Sequence, residues 1–362
     1  MRSHSKKTLI LIASDYDPVG NGRQIEMAVV AILAAGYRVC VVLVSSGRGL
    51  AVRLKRLGAV VYSVSRRPAV YLSVISEVAA IIRNEQPQLV IGWSIETAFM
   101  VGSLRLLSRR SRHSWRYIQQ LSHPPRTMIE ARMVARADQV IVAGQWILEA
   151  SKRIRPLESA FVVPPAAVAF DELMDRDQVA VQIGLNSKKT WTLCVAPLIS
   201  TSRIDRLIWG FDQMAVAKND VEHIVVGSGP LFQRLQRRAW VEEVDGSIHW
   251  FQNQPLLPFL FRHVELVLQP GHVAYGGCFL ESFAHGIPSV AIDTPQSHDM
   301  LGDSEAGILV PELPESEFAR RAIEILENKN LQTHLGDAGR QRAVKQFNKT
   351  VSASKLLESL GL

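Results

Sequence analysis

Cysteine is scarce in this chain, with three in 362 residues: Cys40, Cys194 and Cys278. An odd number without metal-ligand spacing argues against a disulfide framework and against a zinc site. Cys40 and Cys194 fall in apolar, strand-like runs and read as small buried hydrophobes. Long apolar runs are also lacking. The longest tract, MAVVAILAAGYRVCVVLV (27–44), is broken by Gly36 and Arg38 and parses as helix, turn and strand rather than a membrane span. The basic start MRSHSKKTLILIAS carries only LILIA as its apolar run, with no small-residue cleavage site after it. A first core strand is expected there, not a signal peptide, and a cytoplasmic protein with it. A full G-x-G-x-x-G fingerprint is missing too: DPVGNG (17–22) offers two glycines, and Glu26–Ala28 supplies no third, so NAD binding is weakly supported.

Charge is present but uneven. The chain carries a formal net charge of +7, and residues 1–160 hold 23 Lys and Arg against 10 Asp and Glu. The basic half contains RLKR (53–56), Arg66-Arg67 and RLLSRRSRHSWR (105–116), with Trp115 and Tyr117 alongside. Such runs form a solvated basic face, or a surface for an anionic partner such as a lipid headgroup or a pyrophosphate-linked acceptor.

Apolar strands alternating with helical patterns run through both halves, which indicates parallel sheets covered on both faces. Between them, AFVVPPAAVAFDELMDRDQVAVQIG has paired prolines and no sustained period, and reads as a last strand followed by a linker. The length suits two domains. The expected fold class is therefore α/β, with two Rossmann-like domains facing each other across a cleft where the strands end.

Four places carry candidate chemistry. In the first loop, Gly20 and Gly22 precede a helix and let backbone approach a ligand, though a plain tight turn has the same composition. His123 follows the strand RYIQQLS. VGSGP (226–230) ends a strand at Gly227 and Ser228 and opens a helix at Pro230. Residues 268–291, LQPGHVAYGGCFLESFAHGIPSVA, read as a buried strand, a glycine turn at Gly276-Gly277, and a helix with one carboxylate, Glu281, before the next strand. Backbone N–H groups after such a turn suit phosphate.

These residues together resemble the group 1 glycosyltransferases, retaining enzymes that use sugar nucleotides on the two-domain GT-B architecture. Gly276, Leu280, Glu281, Ala284, Gly286, Pro288 and Val290 match the family's donor segment, Ala137-Asp138-Gln139-Val140-Ile141 its strand after the histidine loop, and VGSGP its VGxGP string. The resemblance implies an N-terminal acceptor domain over 1–168, a donor domain over 169–345, and a C-terminal helix, 346–362, returning to the first domain. It further implies Glu281 on the ribose hydroxyls, Gly20 or Gly22 and the Gly276-Gly277 turn at the diphosphate, Gly227 and Ser228 against the nucleotide pocket, and His123 beside the donor sugar. No metal and no cofactor is expected, only a donor such as a UDP- or GDP-sugar. The partners implied are a saccharide or lipid-linked acceptor and an anionic membrane surface at the inner face, with no nucleic acid.

The match fails at three positions. Pro197 and Ser202 occupy the places of the family's diphosphate-binding arginine and lysine, and Val273 that of its first glutamate. Arg203, one residue off, is the replacement expected for the leaving group, with Arg206 a weaker one, and His272, beside Val273, is the replacement expected at the donor sugar. These losses leave two readings open: an active glycosyltransferase with an altered donor, or a catalytically impaired pseudo-glycosyltransferase that binds a nucleotide, a glycan or a partner. A sugar-nucleotide epimerase would need acid–base carboxylates, for which Asp15, Asp17 and Glu96 are available.

Overall fold

The computed structural model describes residues 7–13, 20–44, 48–64, 71–108, 115–157, 160–171, 173–252, 256–302 and 306–362. Asp15, Asp17, Arg66-Arg67 and most of the basic run after Ser108 lie outside the described residues. The chain divides into two units, Met1–Pro165 with Thr350–Leu362, and Ala166–Lys349.

The first unit holds a seven-stranded sheet in the order β3-β2-β1-β4-β5-β6-β7, where β1 is Thr8–Ala13, β2 Arg38–Leu43, β3 Val60–Ser63, β4 Leu89–Trp93, β5 Arg116–Leu121, β6 Gln139–Val142 and β7 Ala160–Val162. Every neighbouring pair is parallel. The central strands are apolar on both faces because helices cover both, and Ile10, Ile12, Val42, Val90 and Tyr117 meet in one core. The helix Lys349–Leu360 belongs to this unit: Ser352 donates to the Pro164 carbonyl at 2.8 Å, and Arg116 to the Leu360 carbonyl at 3.0 Å.

The second unit repeats the plan. Its strands are β8 Thr190–Val195, β9 Val221–Val226, β10 Ile248–Phe251, β11 Leu266–Gln269, β12 Ser289–Ile292 and β13 Ile308–Val310, in the order β10-β9-β8-β11-β12-β13. This is the doubly wound order 3-2-1-4-5-6, as in the first six strands of unit 1. The strand order reverses between β1 and β4 in one sheet and between β8 and β11 in the other, and open parallel sheets take ligands beyond the strand ends at such points.

One element departs from the expected linker. Arg176–Ile183 is a helix, entered at Asp175 and stopped by Gly184 in the left-handed region at φ 74. It is docked by Arg176, whose guanidinium lies 4.0 Å from the Trp191 ring centroid and donates to Glu265 at 2.9 Å and to the Lys189 carbonyl at 2.6 Å. A cation over a buried indole with its N–H groups satisfied holds an otherwise weakly amphipathic segment in place.

Candidate functional site

In the second unit, three loops meet at the carboxyl ends of β8, β9 and β11. The loop after β8 is bonded to the one after β9: the Leu198 N–H donates to the Ser228 carbonyl at 2.9 Å, and the Leu231 N–H to the Leu198 carbonyl at 3.1 Å. The contact is so close that a Cβ on Gly227 would fall on the Ala196 carbonyl, and one on Gly229 would lie 2.7 Å from the Leu198 carbonyl carbon. The same loop touches the one after β11, where the His272 N–H donates to the Thr201 carbonyl at 3.0 Å. The VGSGP glycines are therefore there for packing of backbone on backbone, whatever else they contact.

The turn after β11 has three successive left-handed residues, Tyr275 (φ 54), Gly276 (φ 74) and Gly277 (φ 63). Glycine adopts this freely and tyrosine does not, so Tyr275 is held in strain by its burial. A Cβ on Gly277 would meet Gln269 Oε1 at 2.5 Å. That oxygen is buried without a hydrogen-bond partner, while the Gln269 Nε2 donates to the Gly271 carbonyl at 2.9 Å. Ser202 Oγ, on the facing loop, is likewise buried and unpartnered. Unsatisfied polar atoms of this kind are uncommon in protein interiors.

Glu281 projects from the short helix Phe279–His285 and is 1% exposed. The helix Lys329–Lys345 fixes its position. Gly336 and Gly339 allow close approach to Gly286 and Phe283, and Arg340 donates to the His285 carbonyl at 2.9 Å. Burial, with the Glu281 charge as a secondary cause, pushes the neighbouring Cys278 thiol up to about 12, so it stays protonated.

The departures seen in the sequence have physical places. Val273 is buried in the apolar core of the unit. His272 beside it is exposed. Arg203 stands at the start of the helix Ile204–Ala217 with φ 52, and donates to Glu312 at 2.8 Å; Arg206 donates to the same carboxylate at 2.9 Å.

In the first unit, Gly20 (φ 55) and Gly22 begin the helix Asn21–Ala34 and are buried at the end of β1. Asn21 between them accepts from Trp93 Nε1 at 2.7 Å, joining the start of that helix to the end of β4. His123 follows β5. Its Nε2 lies 3.3 Å from Glu96 Oε1 and its Nδ1 3.4 Å from the Pro124 carbonyl. Burial pushes the Glu96 carboxyl up, but the hydrogen bond and charge of His123, with the Ser94 hydroxyl, more than reverse it and hold it at about 2. Glu96 is thus ionised across the physiological range.

The expected residues accordingly fall into two groups. Arg203, Gly227, Ser228, His272, Gly276, Gly277 and Glu281 lie on loops of the second unit, and Gly20, Gly22 and His123 on those of the first. Glu96 had only a generic claim as an acid–base carboxylate. Its place in the first turn of a helix after an apolar strand was the available signal. Nothing in the sequence marked Glu312 as the partner of Arg203.

Comparison with known proteins gives a consistent set of likenesses. The profile of the family described as "Glycosyl transferases group 1" matches residues 175–342, and that of "Glycosyltransferase Family 4" matches residues 20–167. A lipopolysaccharide core biosynthesis glycosyltransferase, LpsE, of Rhizobium meliloti is 29% identical over 137 residues. That alignment spans 38% of this chain and 40% of the relative. Among solved structures, Anabaena Alr3699/HepE in complex with UDP and glucose superposes with a TM-score of 0.81 at 15% identity, covering 99% of this chain and 100% of that one. Sucrose-phosphate synthase from Thermosynechococcus elongatus gives 0.77 at 14% identity, each chain covered to 98%. At these identities the structural likeness establishes the fold alone.

Proposed function

Because the chain belongs to the group 1 glycosyltransferases and has their GT-B fold, we propose that it transfers a sugar, with retention, from a nucleotide donor to a saccharide or lipid-linked acceptor. The observation that carries this reading is Glu281, a fully buried carboxylate one turn beyond the Gly276-Gly277 turn, at the point where the second sheet reverses its strand order. A carboxylate is a bidentate acceptor suited to the two ribose hydroxyls. The backbone of residues 276–278, with Gly227 and Ser228 nearby, suits the diphosphate.

The chemistry requires charge to be met as the diphosphate departs, and donors fixed in advance contribute most there. With Pro197 and Ser202 in place of cations, Arg203 takes that role, and binding of the diphosphate competes with Glu312 for its guanidinium. Gly20 and Gly22 bring backbone to the reacting end of the donor, and His123 lies beside the sugar. A UDP-sugar is the first donor to try, since Alr3699/HepE was solved with UDP-glucose; a GDP-sugar is the other. The relative LpsE acts in lipopolysaccharide core biosynthesis, which favours a cell-surface saccharide precursor as acceptor. The basic excess of residues 1–160 favours work in the cytoplasm at an anionic inner membrane face. No helix among the described residues is long and apolar enough to cross a membrane.

A second reading is favoured by Val273, whose side chain belongs to the core cluster and cannot bind a sugar hydroxyl. On that reading the chain binds a nucleotide or a glycan without turnover. Calorimetry with UDP-glucose, UDP-galactose, UDP-N-acetylglucosamine and GDP-mannose tests what the two share. Glu281→Gln should weaken whichever donor binds by roughly 10- to 100-fold, the effect of losing hydrogen bonds to a charged acceptor. Unchanged affinity in that variant would remove Glu281 from the site.

A further inference from the structure

Glu96 lies in the first turn of the helix Ile95–Ser108, just past the end of β4. The residue that makes the bend, Ser94, has φ 75, a left-handed backbone that side chains other than glycine rarely adopt. Hydrogen bonds pin it there: the Ser94 N–H donates to the Gln120 carbonyl at 3.1 Å, and Gln119 Nε2 and Thr97 Oγ1 donate to the Ser94 carbonyl at 2.7 and 2.8 Å. Strain sustained by a buried network is a mark of functional segments. What this bend presents is the Glu96 carboxylate.

That carboxylate differs from its neighbours in the unit. Glu26 is closed by Arg23 and Arg53, and Glu85 by Arg38 and Tyr62; both are structural pairs, largely removed from solvent. Among the described residues, the ion pairing of Glu96 is to His123 alone, through one oxygen, and its side chain remains 43% exposed. A carboxylate has lone pairs for about four donors, so beside His123 and the Ser94 hydroxyl this one can still accept from a ligand. The two nitrogens of His123 face a carboxylate and a carbonyl, so the ring is held between Glu96 and its own loop. Next to it, the Ser122 hydroxyl is buried without a hydrogen-bond partner. A carboxylate repels phosphate and attracts hydroxyl donors, so the ligand that fits this edge is the polyol part of a sugar nucleotide.

We propose that Glu96 is a specificity-determining residue: its carboxylate, held by His123, accepts a hydroxyl of the donor sugar. This rests on the reading of His123 as lying beside that sugar. A plainer role for Glu96 is to complement the positive end of its own helix. The two make different predictions.

The test compares each of the four sugar nucleotides with its bare nucleoside diphosphate, in the native protein and in Glu96→Gln, Glu96→Asp and Glu96→Ala, with thermal unfolding recorded for each. Glu96→Gln should bind UDP or GDP as the native protein does and lose about 10-fold or more of the affinity for the sugar nucleotide. Glu96→Asp should lie between, and the preference among sugars should narrow in all three. Equal losses for the sugar nucleotide and the bare diphosphate, tracking unfolding temperature, would overturn the proposal in favour of the helix-end role. No loss for either would overturn it outright. A native protein that binds none of the nucleotides would overturn the donor-site reading beneath it, an outcome separate from the other two.

Discussion

The Arg203 guanidinium donates to the Glu312 carboxylate at 2.8 Å, and Arg206 reaches the same oxygen from one turn further along its helix at 2.9 Å. The carboxylate is more than half exposed. Exposed pairs of this kind are screened by solvent and add little to stability. Their interest lies in the cation, which the fold parks beside the loop where Pro197 and Ser202 stand.

Arg203→Ala should therefore leave the unfolding temperature nearly unchanged and reduce nucleoside diphosphate release by about 100-fold or more, the order expected for one lost electrostatic donor. Glu312→Ala, which removes the competing anion, should leave release unchanged or raise it. Steady-state release assays on both variants check this, and an Arg203→Ala enzyme with native turnover would contradict the role.

Gly227 has no room for a side chain, since a Cβ would fall on the Ala196 carbonyl. Backbone cannot yield as a flexible side chain can. Gly227→Ala should lower stability by about 1–3 kcal/mol, measured by denaturant unfolding. It should also weaken nucleotide binding, because the loops after β8 and β9 would part. Gly246→Ala, where no atom lies within 4 Å of the added carbon, is the control and should behave as native.

His285 accepts from the Phe170 N–H at 3.0 Å through Nε2 and stacks on Phe170 and Phe261, so its Nε2 must be unprotonated. Burial, then the charges of Arg262 and Arg340, lower its pKa from 6.5 to about 4. Above about pH 6.5 neither the folded nor the unfolded chain is protonated there, and the contact is complete. Between 6.5 and 4 the unfolded chain binds a proton that the folded one refuses, so stability falls with pH, and the loss is full below about 4. His223, driven to about 3 by burial, adds to the same trend. In thermal melts from pH 7 to 4, His285→Gln should start lower than the native protein, and the gap should narrow as the pH falls.

The strand and helix alternation was legible because the strands of a doubly covered parallel sheet are apolar throughout: TLILIA, RVCVVL and TWTLCV announce themselves. The helix Arg176–Ile183 was not, since its apolar residues form no stripe and its place depends on Arg176 lying over Trp191. Its end signals, Asp175 and Gly184, were present and are the part a sequence can carry. At the site, Gly276, Gly277 and Glu281 were legible as a string. The pairing of Arg203 with Glu312, more than a hundred residues apart, and of Glu96 with His123 depends on which strands lie side by side, which no local pattern encodes.

Sugar transfer by this chain is checked by following nucleotide release from a bound donor. Purified protein is mixed with each of the four sugar nucleotides, with and without a saccharide precursor fraction extracted from cell envelopes, and free UDP or GDP is followed over time. Slow release is expected from at least one donor in the absence of acceptor, and faster release when the fraction is added. A donor that binds and is never cleaved, with or without acceptor, would contradict transfer and leave a nucleotide-binding protein without turnover.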